Sequence, residues 1–461
     1  MNHALTARIA LSLIAALALA LVACAASGRN GDDDSNGNGP DAGHGGGTPD
    51  ADLGPHGTVS GVVWMPSSAP GQVPVGQEIP VSEALVYVST ATSLDPVPQE
   101  VYCDQCADPP GYNTLTDAKG HFSLNAPVGH YWLAIQKGQF RIDQEIDVVA
   151  SGDLALTDAQ TALPSDHDPA HGKWLPHVAI AAGTFDNVET IFGKVGIGMV
   201  DASGGWVGSS AADNIDLYDN GGSSAMSGPF SALLTDLNKM KKYHLIVMPC
   251  TSTGEASTAL FDNPTVRQNI VEYVKAGGKW YVADWAGEFE DVVWPEFIQF
   301  GPGYDTAAAG CTGGACNTAD DFGLYDSAHS KAEDAKLNAW LQGQMAPSEA
   351  GGTVGVVDAN HFDATDNWDH IMNLGSIQIG TNPEGLPIIE TPHVFILGEH
   401  HGGEGPIHPL TVTFQPGGCG RVLYTTFHTT PGAHVGLIPQ ERVLLYLMGE
   451  IGVCHDGPII P

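Results

Sequence analysis

The hydrophobic pattern divides the chain into four stretches. Ile9 to Leu21 is apolar, broken only by Ser12, and follows Arg8. It has the length of a secretory h-region and falls short of the roughly 20 residues that a spanning helix needs. From Ala26 to Pro55 the chain is Gly, Asp, Asn and Pro, with almost nothing to bury, so it reads as a solvated tether. From Thr58 apolar and polar residues alternate in short runs: Thr58–Met65, Ala84–Thr90, His121–Ala126, His130–Lys137 and Phe140–Val149. Period-two runs between turn signals predict antiparallel strands and a small β-sandwich over 56–150.

The pattern changes after a linker at 151–173. His177–Gly183, His244–Cys250 and Lys279–Ala283 are largely apolar runs, the signature of strands covered on both faces, and Ile215–Asn220 reads as a further strand. Between them, Phe185–Gly196 and Gly228–Tyr243 carry helical spacing. A further helix is predicted from Asn263 as N-cap, through Pro264, to a stop at Gly277-Gly278. Alternating strand and helix predicts a parallel sheet with helices on both faces over 174–455. An irregular insertion is expected at about 301–382, and a tail at 456–461. The expected fold is therefore multidomain: a small antiparallel sandwich, then a doubly wound, mostly parallel α/β domain.

Composition narrows the partners. Of 461 residues, 53 are acidic and 17 basic, for a net charge of -36. Such a chain repels nucleic acid, and nucleic-acid binding is excluded from the expectations.

Three resemblances follow from particular residues. Leu21-Val22-Ala23-Cys24 resembles the lipobox of bacterial lipoproteins. The resemblance implies cleavage after residue 23, acylation of Cys24, and a membrane anchor with no spanning helix. Ala25, where an aspartate would favour inner-membrane retention, points to the outer membrane. Thr116, Asp117, Gly120, Phe122, Pro127, Gly129 and Tyr131 stand where the carboxypeptidase regulatory-like, transthyretin-like sandwich has its T-D-x-x-G-x-F and P-x-G-x-Y pattern. Related sandwiches are carbohydrate-binding-like folds, so a glycan or other envelope component is the implied partner. Finally, Tyr243–Cys250, the helix and strand after Asn263, and Gly417–Gly432 resemble the class I glutamine amidotransferase-like domain. That family places a cysteine in a G-x-C-x-G elbow. The matching stretch here is Ala283–Gly287, which sets Trp285 at the nucleophile position. None of the nineteen histidines begins the family's H-x-E motif. The family's glutamine chemistry is therefore not expected, and the chain leans away from enzyme.

Candidate chemistry remains on the rim. Cys250 and His428 each end a predicted strand, and Asp284 could orient the pair as an acid. Trp285, Glu288, Glu290 and Trp294 could form a sugar platform, against core packing as the plainer reading. No cofactor is expected; the alternative is a divalent metal on Glu399, His400, His401, Glu404 and His408, whose imidazoles and carboxylates suit zinc. Cys103 and Cys106 are expected to close locally in their loop, and Cys311 with Cys316 likewise. Cys419 and Cys454 staple the carboxyl end and leave Cys250 a buried thiol, or one of them pairs with Cys250. The leading expectation is a lipid-anchored envelope protein that binds carbohydrate through its sandwich without catalysis. The alternatives are a hydrolase using the α/β rim, or a structural envelope protein.

Overall fold

Alternation along the first strands becomes a two-layer core. Val59, Phe122, Leu124 and Ala126 point inward from a three-stranded sheet ordered His121–Pro127, His56–Val62, Asp153–Ala155. They meet Val86, Val88, Leu133, Ile135, Ile146 and Val148 from a five-stranded sheet ordered Tyr112–Leu115, Leu85–Ser89, Gly129–Lys137, Phe140–Val148, Lys173–Trp174. The exposed partners of the strand His121–Pro127 are His121, Ser123 and Asn125, as a sheet with one wet face requires. Gly120, at φ +77, turns the chain into that strand. A Cβ there would lie 2.5 Å from the Val63 carbonyl oxygen, so glycine is needed.

This computed structural model describes residues 54–454 apart from 68, 107–110, 184, 221–226, 251–259, 261, 301–326, 368, 370, 383, 400–406 and 430–431. The expected signal segment, Cys24, the tether, Cys311, Cys316, His400, His401 and Glu404 lie outside the described residues. Among the described residues no helix is long and apolar enough to cross a membrane.

The second half is built on a nine-stranded sheet, ordered Ile215–Asp219, Val178–Ala182, Leu245–Met248, Lys279–Ala283, Arg421–Thr425, Ile407–Phe414, His393–Glu399, Ser327–Ala332, Phe362–Thr365. The first five run parallel. The last four join by antiparallel pairing. The expectation of a mostly parallel sheet is thus met only on one side, and the stretch expected to be an irregular insertion supplies its last two strands, with Phe362–Thr365 at the edge. Successive residues of the parallel strands feed opposite cores. Ile180, Val247, Tyr281 and Leu423 pack on one face with the helices Val188–Lys194 and Pro439–Glu450. Ala181, Ile246, Trp280 and Tyr424 pack on the other with the helix Pro264–Lys275. Asn263 caps that helix, its Oδ1 accepting from Thr265 N at 2.9 Å. The expected helix over Gly228–Tyr243 breaks into Phe230–Leu234 and Leu237–Met240, because Asp236 caps a new start.

The cysteine expectations need correction. Cys103 pairs with Cys419 and Cys106 with Cys454. Neither closes its own loop. Of the states open to Cys250, the buried thiol is the one found, and it pairs with neither Cys419 nor Cys454. The reason is docking. The loop carrying Cys103 lies against the large sheet's amino edge, with Val101 N donating to Lys241 O and His244 Nε2 hydrogen-bonded to Pro98 O, both at 2.8 Å. Gly277, at φ +110, permits the approach: a Cβ there would sit 2.1 Å from Tyr102 O. Cys419, just before Arg421–Thr425, and Cys454, after the last helix, come to the same edge.

Candidate functional site

Four neighbouring parallel strands end on one rim. Each delivers a polar residue just past its last hydrogen-bonded position: Asp186 after Val178–Ala182, Cys250 after Leu245–Met248, Asp284 after Lys279–Ala283, and His428 after Arg421–Thr425. The carboxyl edge of parallel strands is where open α/β sheets place their sites. Here all four residues are fully buried.

The geometry is close. His428 Nδ1 lies 2.7 Å from Asp284 Oδ2. A carboxylate can only accept, so Nδ1 carries the proton. The ligand-capable atoms of Cys250, Asp284 and His428 all lie within 4.8 Å of one another. Asp186 braces the cluster from behind. Its Oδ1 accepts from Thr429 N at 3.1 Å and from the Thr429 hydroxyl, and its Oδ2 accepts from Cys250 N at 3.3 Å. The His428 carbonyl accepts from Gln440 Nε2 at 2.8 Å. The peptide joining His428 to Thr429 is therefore held at both its carbonyl and its N–H.

Asp284 stands in the left-handed region at φ +50. A non-glycine residue there is uncommon, and such strain clusters at functional positions. The sharp turn from strand to the short helix Asp284–Gly287 thus falls on the acid, not on Trp285 as the resemblance implied. Gly287 closes the corner: a Cβ would meet Tyr424 at 3.1 Å and Asp369 Oδ2 at 3.2 Å. The Tyr424 hydroxyl donates to Asp369 and lies 3.2 Å from the Asp284 carbonyl.

Charge in this space is unbalanced. Burial pushes the Cys250 thiol well above its ordinary value, and the carboxylates of Asp284 and Asp186 push the same way. The Trp285 backbone N–H, which bonds the sulfur, opposes them more weakly. Burial draws His428 down, but Asp284, Asp186 and Asp366 together carry it above its usual range. Asp186 is raised by burial against the opposing pull of His428 and Thr429. The thiol hydrogen-bonds to the Asp284 carboxylate. Cys250 is consequently a protonated donor here, not a thiolate primed by His428.

The other expected sites fare differently. Glu288, Glu290 and Trp294 are buried, and Trp285 is half-buried against the same core. An exposed sugar platform does not form from them. Both oxygens of Glu288 and of Glu290 lack a hydrogen-bond partner. Burial, then Asp291 and Asp262, push Glu288 up to about 9. Burial and Asp291 push Glu290 well up too. Glu399 and His408 sit on paired strands rather than in one loop. Cross-strand partners share a face, and the register pairs Glu399 with Ile407 and Gly398 with His408. Glu399 and His408 therefore point to opposite faces. Among the described residues, Cys250, Asp284 and His428 form the one metal-ligand cluster of three or more side chains.

Sequence reading missed Asp186 and Thr429. The available signal was position: Asp186 follows the first parallel strand as Asp284 follows the fourth, and Thr429 adjoins His428. It also missed a groove on the first part of the chain, of about 440 Å3, whose lining includes Trp132, Asp143, Gln144, Glu145, His171 and Trp174. Trp132 is half-buried there, while Trp174 is buried, donates from its indole to Asp143 at 2.9 Å and stacks under Arg141.

No family model matches the chain, and no curated protein matches it. Among solved structures, a cytoplasmic protein from Salmonella typhimurium aligns with TM-score 0.28 and 12% identity, over 51% of this chain and 81% of its own. A ThuA-like protein from Bacteroides uniformis aligns with TM-score 0.28 and 9% identity, over 62% and 93%. Another from Parabacteroides merdae gives 0.26 and 13%, over 62% and 92%. Likeness at this level leaves the chemistry to be argued from the residues.

Proposed function

We propose that this chain is a cell-envelope hydrolase, anchored through an acylated Cys24 and reacting at the rim of its α/β half. In this reading the chain is a transthyretin-like sandwich followed by a flavodoxin-like α/β domain. The observation that carries the functional reading is the convergence of Asp284, in its strained left-handed corner, on His428 at 2.7 Å. A buried carboxylate on Nδ1 fixes the imidazole's tautomer and orientation and leaves Nε2 to move a proton. Water attacks the substrate's acyl carbon, His428 takes its proton, and the leaving group receives that proton as its bond breaks. The reading departs from the leading sequence expectation of binding without catalysis.

The test is a panel of activated esters and amides assayed with the wild-type protein and His428→Ala. General acid–base assistance contributes about 100-fold or more, so the variant should lose at least that factor in kcat while its circular dichroism is unchanged. Equal turnover in both proteins removes the reading.

A second reading, glycan contact through the first part of the chain, is favoured by the groove beside Trp132. A half-buried indole with flanking amide, carboxylate and imidazole groups suits a sugar's apolar face and hydroxyls. Trp132→Ala should weaken binding to an immobilised oligosaccharide array by about tenfold or more, given the area an indole buries. Unchanged binding, or none by the wild type, removes this second reading.

A further inference from the structure

We propose that Cys250, Asp284 and His428 are three ligands of a zinc-class divalent metal ion, with a fourth position left for water or substrate. The inference rests on the reading of this cluster as the reactive centre, and it supplies that centre with its cation.

The donor set is the first ground. One thiolate, one carboxylate and one imidazole are the ligand types zinc takes, and three protein ligands with an open position mark a catalytic rather than a structural site. The second ground is distance. Tetrahedral zinc with bonds of about 2.0 to 2.3 Å sets its ligand atoms roughly 3.3 to 3.7 Å apart. The atoms of this cluster are already within 4.8 Å of one another. Closure of about 1 Å at the widest pair makes a coordination sphere. The third ground is support. Asp186, bonded to Cys250 N and to Thr429, fixes the main chain beside two of the ligands, and Gln440 holds the His428 carbonyl. Ligand backbones pinned in this way are typical of outer-shell support in metal sites. The fourth ground is conformation. Asp284, one of the three, stands in the left-handed region at φ +50, and such backbone strain in a non-glycine residue clusters at ligand and functional positions.

The protons balance. On binding, the Cys250 thiol and His428 Nδ1 each release one proton to solvent, and the metal takes the place of the proton between Nδ1 and Asp284 Oδ2. A bound ion would lower the pKa of its water, so that the metal, in place of His428, would make the nucleophile.

Cobalt(II) reports on the site directly, because thiolate ligation gives a near-ultraviolet charge-transfer band. Protein stripped with a chelator is titrated with cobalt(II) and then with zinc(II). The expected result is one equivalent of cobalt bound with that band, displaced by zinc. Cys250→Ser should abolish the band, and Asp284→Asn, which keeps the side chain's shape, should weaken binding tenfold or more. A Cys311→Ser/Cys316→Ser variant should keep the band. The proposal is overturned by no band in the wild type, by a band that survives Cys250→Ser, or by one lost with Cys311 and Cys316. If Cys250→Ser does not fold, Asp284→Asn decides: unchanged affinity overturns the proposal. The two readings separate cleanly. Turnover that persists without bound cobalt or zinc keeps the hydrolase and removes the metal. A bound, Cys250-dependent metal with no turnover keeps the metal and removes the hydrolase.

Discussion

Reducing the two disulfides is expected to lower the unfolding free energy by about 10 kcal/mol. The Cys103–Cys419 bridge spans 316 residues of sequence. Loop-closure entropy for such a length corresponds to about 6 kcal/mol. With that bridge in place, the Cys106–Cys454 bond closes a much shorter circuit of roughly 40 residues, for about 4 kcal/mol more. A domain is stable by only about 5 to 15 kcal/mol in all, so the reduced protein should sit at the edge of unfolding. Guanidinium midpoints measured with and without reductant check this. A Cys103→Ser/Cys419→Ser variant should lose only about 4 kcal/mol, because Cys106–Cys454 then closes the long loop, 348 residues, by itself. An unchanged midpoint on reduction would contradict the connectivity, since a locally closed Cys103–Cys106 loop would contribute far less. The result bears on the proposed location too, since disulfides persist in oxidising compartments.

Glu288→Gln is expected to stabilise the protein at pH 8 by about 5 kcal/mol, and to do nothing below about pH 4. Both Glu288 oxygens are buried without a hydrogen-bond partner, and the side chain is 1% exposed. Its folded-state pKa is pushed up to about 9 from 4.5, chiefly by burial and then by Asp291 and Asp262. Above pH 4.5 the unfolded chain ionises this carboxyl while the folded protein keeps the proton. Stability from this group is therefore greatest in acid, falls as pH rises from 4.5, and levels off above 9. The whole window is worth about 6 kcal/mol, and the part crossed by pH 8 about 5. A neutral amide of the same size has no proton to release and escapes the penalty. Chemical denaturation of both proteins from pH 4 to 9 measures it. Parallel curves for the two would show that Glu288 is ionised in the fold. Glu290 is displaced in the same direction, so two acids beside the rim both oppose stability at neutral pH. Such a burden next to a strained residue is characteristic of sites held for function.

Much of this was readable along the chain. The apolar runs Val178–Ala182, Leu245–Met248 and Lys279–Ala283 announce strands covered on both faces, and Asn263-Pro264 announces a helix start; local chemistry decides both. Cys250, Asp284 and His428 could be nominated because each follows such a strand. What failed was non-local. Cys103 meets Cys419 only because Gly277 lets its loop dock, and no spacing rule reaches across 316 residues. The strands Ser327–Ala332 and Phe362–Thr365 owe their place to an edge offered by His393–Glu399 rather than to their own mixed composition. Glu288 and Glu290, candidates for an exposed sugar platform by residue type, are instead buried, which agrees with core packing. The left-handed Asp284 is a property of the corner, and a sequence alignment to G-x-C-x-G moves it by one residue.

The central claim is that Asp284 and His428 work as one unit. The most direct measurement is kcat/KM for the wild type, Asp284→Asn, His428→Ala and the double variant, on whichever ester or amide the wild type turns over. Residues that act together are strongly non-additive. The account predicts that the double variant is no worse than the poorer single one. Losses that multiply, single variants with wild-type turnover, or a wild type inactive on every substrate would contradict it.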